Sequence, residues 1–73
     1  MTLDQCSSGQ HCQILRLNGD VDLKMRLVNL GFHTHSIIHL LMTRGRNLVI
    51  NVDGSRFALD KEYAQFIEVE ALS

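Results

Sequence analysis

Seventy-three residues, 45% hydrophobic and 21% charged, describe one small globular domain, residues 1–73, too apolar to be disordered and too small to enclose a deep active site. The formal charge of −1 conceals an uneven distribution. No acidic residue lies between Asp22 and Asp53, where Lys24, Arg26, Arg44 and Arg46 fall together with His33, His35 and His39, whereas Asp60, Glu62, Glu68 and Glu70 make the C-terminal end acidic.

Met1 to Gly9 reads as a lead-in, with Leu3 a core candidate and Ser7-Ser8-Gly9 a turn. His11 to Leu17 is strand-like, with Ile14, Leu15 and Leu17 expected inside and Arg16 outside. Asn18-Gly19 breaks the strand, and Asp20 is suited to cap a helix, its carboxylate accepting from backbone N–H groups left unpaired in the first turn. Leu23, Leu27 and Leu30 recur at helical spacing with Val28 beside them, which predicts one buried stripe across a helix of about three turns. Gly31 suits the left-handed residue that ends such a helix.

Phe32 is placed to pack back on the helix end, and His33-Thr34-His35 forms a polar link. In the strand predicted over Ser36 to Thr43, Ile38, Leu40 and Met42 share one face and Ile37, His39 and Leu41 the other. Arg44-Gly45-Arg46-Asn47 reads as a hairpin turn, followed by a strand with Leu48, Ile50 and Val52 inward. Asp53-Gly54 favours the primed turn that matches strand twist, so Ser55 to Leu59 returns antiparallel. Asp60 caps a single helical turn through Ala64, and Phe66 to Leu72 closes the chain as a last strand. Five short strands with an inserted α-helix make the fold mainly β, expected as a small SH3-like β-barrel, with a split sheet covered by the helix as the alternative.

The side chains offer little catalytic chemistry. His11 and Cys12 are neighbours in sequence, but consecutive side chains on a strand point to opposite faces, and no carboxylate pair, phosphate-cradling glycine loop or cofactor fingerprint is present. The chain reads as a non-enzyme without a cofactor. His33, His35 and His39 are weak candidates for metal ligands, because a structural site needs about four convergent donors and Cys6 and Cys12 lack the paired spacing that supplies them. Two cysteines do not make a disulfide framework, although a Cys6–Cys12 bridge over a small loop is open to the chain. The phenylalanines fall at core positions, which leaves no stacking platform for single-stranded nucleic acid. The apolar runs are far shorter than the roughly twenty residues of a membrane helix, and Met1-Thr2-Leu3-Asp4 lacks the features of a secretory signal. Direct membrane insertion is not expected, and the cytoplasm is the expected compartment.

Thr2-Leu3 with Gly9, Arg26-Leu27-x-x-Leu30-Gly31 at the helix end, and Phe57-Ala58-Leu59 with Ala64, Ile67 and Val69 together resemble the FeoA family over nearly the whole chain. Where that family usually carries Pro-Gly, this chain has Thr34-His35 after the helix and Ser8-Gly9 near the start. The resemblance implies a small cytoplasmic accessory protein of bacterial ferrous iron uptake. It would sit at the inner membrane through the transporter FeoB, modulating FeoB by contact with its cytosolic, GTPase-containing region. Lys24, Met25 and Arg26 on the helix, with Arg44 and Arg46 at the hairpin tip, are the partner-binding candidates. The same domain is similar to the C-terminal domain of iron-dependent repressors, so the alternative is a regulatory domain sensing a divalent metal. The absence of an attached DNA-binding domain points to transport. Exposed barrel edges make self-association a further expectation.

Overall fold

The computed structural model describes residues 1–72. A 3₁₀ turn, η1 (Leu3–Gln5), precedes β1 (His11–Leu17), α1 (Val21–Asn29), β2 (Ile37–Arg44), β3 (Asn47–Val52), β4 (Ser55–Asp60), α2 (Lys61–Ala64) and β5 (Ile67–Ala71). The strands form one antiparallel sheet in the order β4-β3-β2-β1-β5. Mainly β architecture with an inserted helix follows the sequence pattern.

The closed barrel does not. Among the described residues no ladder joins β4 to β5, so the sheet stays open. The physical reason lies in the two short helical turns: α2 packs on β4, and η1 packs on both α2 and β5, filling the side where closure would require strand pairing. The outer edge of β5 is capped instead by the lead-in, through a bridge between Thr2 and Glu68 and a hydrogen bond from Val69 N to Met1 O at 2.8 Å. Covering an edge in this way removes a template for unwanted pairing.

Both turn predictions follow the backbone chemistry. Gly45 takes φ +60° in the two-residue loop between the paired residues Arg44 and Asn47. Asp53 and Gly54, at φ +50° and +85°, form the primed turn between β3 and β4. Helix α1 begins and ends as its sequence predicts. Leu23 N donates to Asp20 Oδ1 at 2.8 Å. At the other end Gly31 N donates to Val28 O and Phe32 N to Leu27 O, both at 3.0 Å, with Gly31 at φ +108°. This paired bonding is the Schellman arrangement, and the apolar contact it brings with it falls between Leu27 and Phe32, both fully buried.

Three residues expected inside are outside. Leu15 is 40% exposed and Met42 is 50% exposed. In each strand one extra residue shifts the register, between Ile14 and Arg16 on β1 and between Leu40 and Met42 on β2. Such a bulge reverses the alternation beyond it, so Met42 moves to the face opposite Ile38 and Leu40. Leu17 is half-buried at the core margin. On the helix, Leu27 is buried and Leu23 packs partly against the core, whereas Leu30 is 52% exposed. Leu30 is the residue where the helix caps off, and the chain turns inward only at Phe32.

The core is continuous from Leu3, Cys12 and Ile14 through Ile38, Leu40, Leu48, Ile50 and Leu59 to Ile67 and Val69. Phe32 meets Phe57 edge to face, with ring centroids 5.5 Å apart. Cys6 and Cys12 are buried free thiols whose sulfurs lie 2.9 Å apart, in hydrogen-bond contact. Burial first, then the hydrogen bond and charge of Cys12, push the Cys6 thiol up from 9.0 to about 12.

Leu27→Ala is expected to lose about 2–5 kcal/mol of stability through cavity formation, and Leu30→Ala to stay within about 0.5 kcal/mol, as read by chemical denaturation. The Cys6 thiol gives a pH dependence of known sign. The unfolded chain releases this proton near the ordinary value while the folded chain keeps it, so the contribution is complete below pH 9.0 and is lost as pH rises toward 12. Denaturation midpoints across that window should fall more steeply in the wild type than in Cys6→Ala.

Candidate functional site

The helix presents its outer surface because Leu27, helped by Leu23, holds its inner face on the sheet. With Leu27 buried and Leu23 half-buried, the 100° steps of the helix turn Lys24, Met25 and Arg26 outward. Met25 is 53% exposed, an unbranched thioether on the surface. Arg26 lies in the last turn of α1, where a cation is favoured by the negative end of the helix dipole.

Arg26 borders two depressions. The larger, of about 340 Å³, is lined by Arg26, Leu27, Asn29, Leu30 and Tyr63. It is an open groove between the C-terminal half of α1 and the single turn α2, predominantly apolar in lining, with one guanidinium, one amide and one phenol around it. The smaller, of about 240 Å³, lies over the first turns of α1 between Asp20, Asp22, Leu23 and Arg26. A guanidinium between an apolar groove and a pair of carboxylates is suited to hold a partner through both packing and a directed ion pair.

Of the groove residues the sequence points only to Arg26; Leu27, Asn29, Leu30 and Tyr63 are added by the structure. Helical spacing alone puts Leu30 on the buried stripe, which hides it as a surface residue. The signal for Tyr63 is chemical: it is the single tyrosine in the chain, on a four-residue turn too short to bury a large ring. An exposed amphipathic ring of this kind suits an interface.

Arg44 and Arg46 stand exposed at the β2–β3 hairpin tip. Arg46 makes an ion pair with Asp60 at 3.7 Å, and its carbonyl accepts from Lys61 N at 2.8 Å, which ties the tip to the start of α2. Thus α2 joins the hairpin tip to the groove. Neither arginine lines it.

His33, His35 and His39 do not converge. His33 and His35 are exposed in the link after α1, and His35 holds φ +76° where glycine would sit without strain. Its N–H donates to Ile14 O at 2.8 Å, so the link is fastened to β1 by backbone. His39 is half-buried on β2 and stacks on His11 of β1. No group of three or more His, Cys, Asp or Glu side chains placed to hold a metal occurs among the described residues. No helix among them is long and apolar enough to cross a membrane.

Comparison with known proteins agrees with this architecture. The chain superposes on the crystal structure of an iron uptake regulatory protein, FeoA, with a TM-score of 0.90 and 25% identity, over 97% of this chain and 95% of that one. A manganese-dependent transcriptional repressor matches with a TM-score of 0.90 and 22% identity, over 97% of this chain but only 40% of the repressor. FeoA of Stenotrophomonas maltophilia, a zinc complex described as a prokaryotic SH3 domain protein and discussed as an activating factor for ferrous iron transport, matches with a TM-score of 0.83 and 22% identity, over 96% of this chain and 89% of that one. The last two likenesses speak to the fold alone. No curated protein sequence matches the chain. The family model for the FeoA domain matches residues 1–71, and the chain therefore belongs to the FeoA family.

Proposed function

We propose that this protein is a non-enzymatic, cytoplasmic accessory factor of bacterial ferrous iron uptake that binds the cytosolic, GTPase-containing region of the transporter FeoB. The observation that carries this reading is the groove of about 340 Å³ between α1 and α2, with Arg26 at its border and Leu30 and Tyr63 exposed along it. Apolar side chains left exposed in a cluster on a small domain are the usual mark of a protein contact. An apolar side chain of the partner would enter between Leu30 and Tyr63 while a carboxylate meets Arg26. Met25 and Lys24 would widen the contact along the helix. Arg44 and Arg46 would meet a more distant acidic part of the same surface.

The alternative is a regulatory domain that senses a divalent metal, and it draws on the likeness to the manganese-dependent repressor. Sensing of that kind calls for a ligand set that closes around the ion. The transport reading is the one favoured by the family to which the chain belongs and by the groove.

The test is recovery of a complex with the transporter's full cytosolic region in the presence of guanine nucleotide. Association is expected for the wild type. Arg26→Glu and Tyr63→Ala should each weaken it about tenfold or more, equivalent to about 1.4 kcal/mol, with the folded circular-dichroism spectrum retained. Normal binding by both variants would exclude this surface.

A further inference from the structure

We propose that His11 and His39 form a cross-strand chelate for a divalent first-row transition-metal ion, with the side-chain oxygen of Asn51 as third donor. This site is separate from the α1–α2 groove and does not depend on the function proposed for it.

Strand register carries the argument. His11 on β1 is directly opposite His39 on β2, and His39 is directly opposite Asn51 on β3. Their neighbours Cys12, Ile38 and Val52 are buried, so alternation sets the two histidines and the asparagine abreast on the other face of three adjacent strands. Leu40 N donates to Gln10 O at 3.0 Å, and Ile14 N to Ser36 O at 2.9 Å. Ladder bonds at these positions leave His11 and His39 in a non-hydrogen-bonded pair, where opposed side chains come closest.

The two rings are stacked, with centroids 4.0 Å apart and planes 9° from parallel. An ion held by bonds of about 2.0–2.1 Å sets two adjacent imidazole nitrogens about 3 Å apart. Turning each ring about its terminal torsion, which is soft, brings the in-plane lone pairs from parallel to convergent. The strands need not move.

A second, independent observation comes from Asn51. No protein group among the described residues donates to its buried Oδ1, in a side chain immediately across from His39. Buried oxygens of this kind are almost always paired, and an acceptor without a protein donor takes an ordered water or a bound cation. Among the described residues the donor set is then two imidazoles and an amide oxygen, with no carboxylate or thiolate. Such a set follows the general affinity order for divalent ions, with copper bound above nickel and zinc, and ferrous iron below them. Arg56, opposite Asn51 on β4, adds a like charge to the row and weakens retention of the ion. Open coordination positions remain for water, so the site exchanges its ion instead of enclosing it.

Calorimetric titration of the full chain with zinc or nickel alone tests the proposal. One equivalent is expected to bind. His11→Phe and His39→Phe, which keep an aromatic ring in the stack but remove its nitrogens, should each lower the affinity at least tenfold. The His33→Ala, His35→Ala double variant should bind as the wild type does. Copper added to the wild type should show electron-spin couplings to two imidazole nitrogens, and Asn51→Leu should reduce affinity severalfold. Absence of saturable binding, or binding that survives His39→Phe and disappears in the His33, His35 double variant, would overturn the chelate. Unchanged affinity in Asn51→Leu would remove Asn51 from the ligand set.

Discussion

The seating of Leu27 and Phe32 is the constraint on which the rest of the molecule depends. Gly31 takes a left-handed backbone that only glycine adopts without cost, and two hydrogen bonds back into the helix then bring Phe32 down beside Leu27. Both side chains are fully buried in the core of the sheet. Because α1 is held chiefly at this end, the direction of every other side chain on it follows. Arg26 lies one step round the helix from Leu27, and Leu30 shares the stripe of Leu27 but sits at the capped end where nothing covers it fully, so both border the groove.

A small chain with an open sheet has to deal with its edges. The lead-in pairs with the far side of β5, and the turns η1 and α2 fill the space between the two end strands. The same device creates the groove, because α2 carries Tyr63 to the side of α1. Edge protection and the candidate partner surface are thus two consequences of one short helical turn. This economy is characteristic of a domain with too little volume for separate structural and functional layers.

The chain's two candidate sites differ in kind. The groove relies on shape and on one directed charge, and a protein surface is its natural complement. The His11–His39 row relies on strand register, which sets two imidazoles and an amide oxygen abreast with no helix involved. The half-buried His39 and exposed His11 are far apart in sequence, and only the β1–β2 ladder brings them together. The exposed His33 and His35 are close in sequence yet belong to a link fastened through its backbone.

Local chemistry was enough to determine the element order, both tight turns, the two aspartate caps, the Gly31 helix end and most of the core, because each depends on a few neighbouring residues. The helix as the carrier of Lys24, Met25 and Arg26 was legible for the same reason. Tertiary structure alone decided that the sheet stays open, that Leu15 and Met42 lie outside, that Leu30 borders a groove, and that His39 meets His11. A bulge adds one residue without any distinctive residue type, since neither Leu15 nor Leu41 differs in character from its apolar neighbours. Helical spacing, likewise, places Leu30 on the stripe of Leu27 but says nothing of where the covering sheet ends. Register and the extent of the surface beneath a helix are set between elements, and a pattern read along the chain does not contain them.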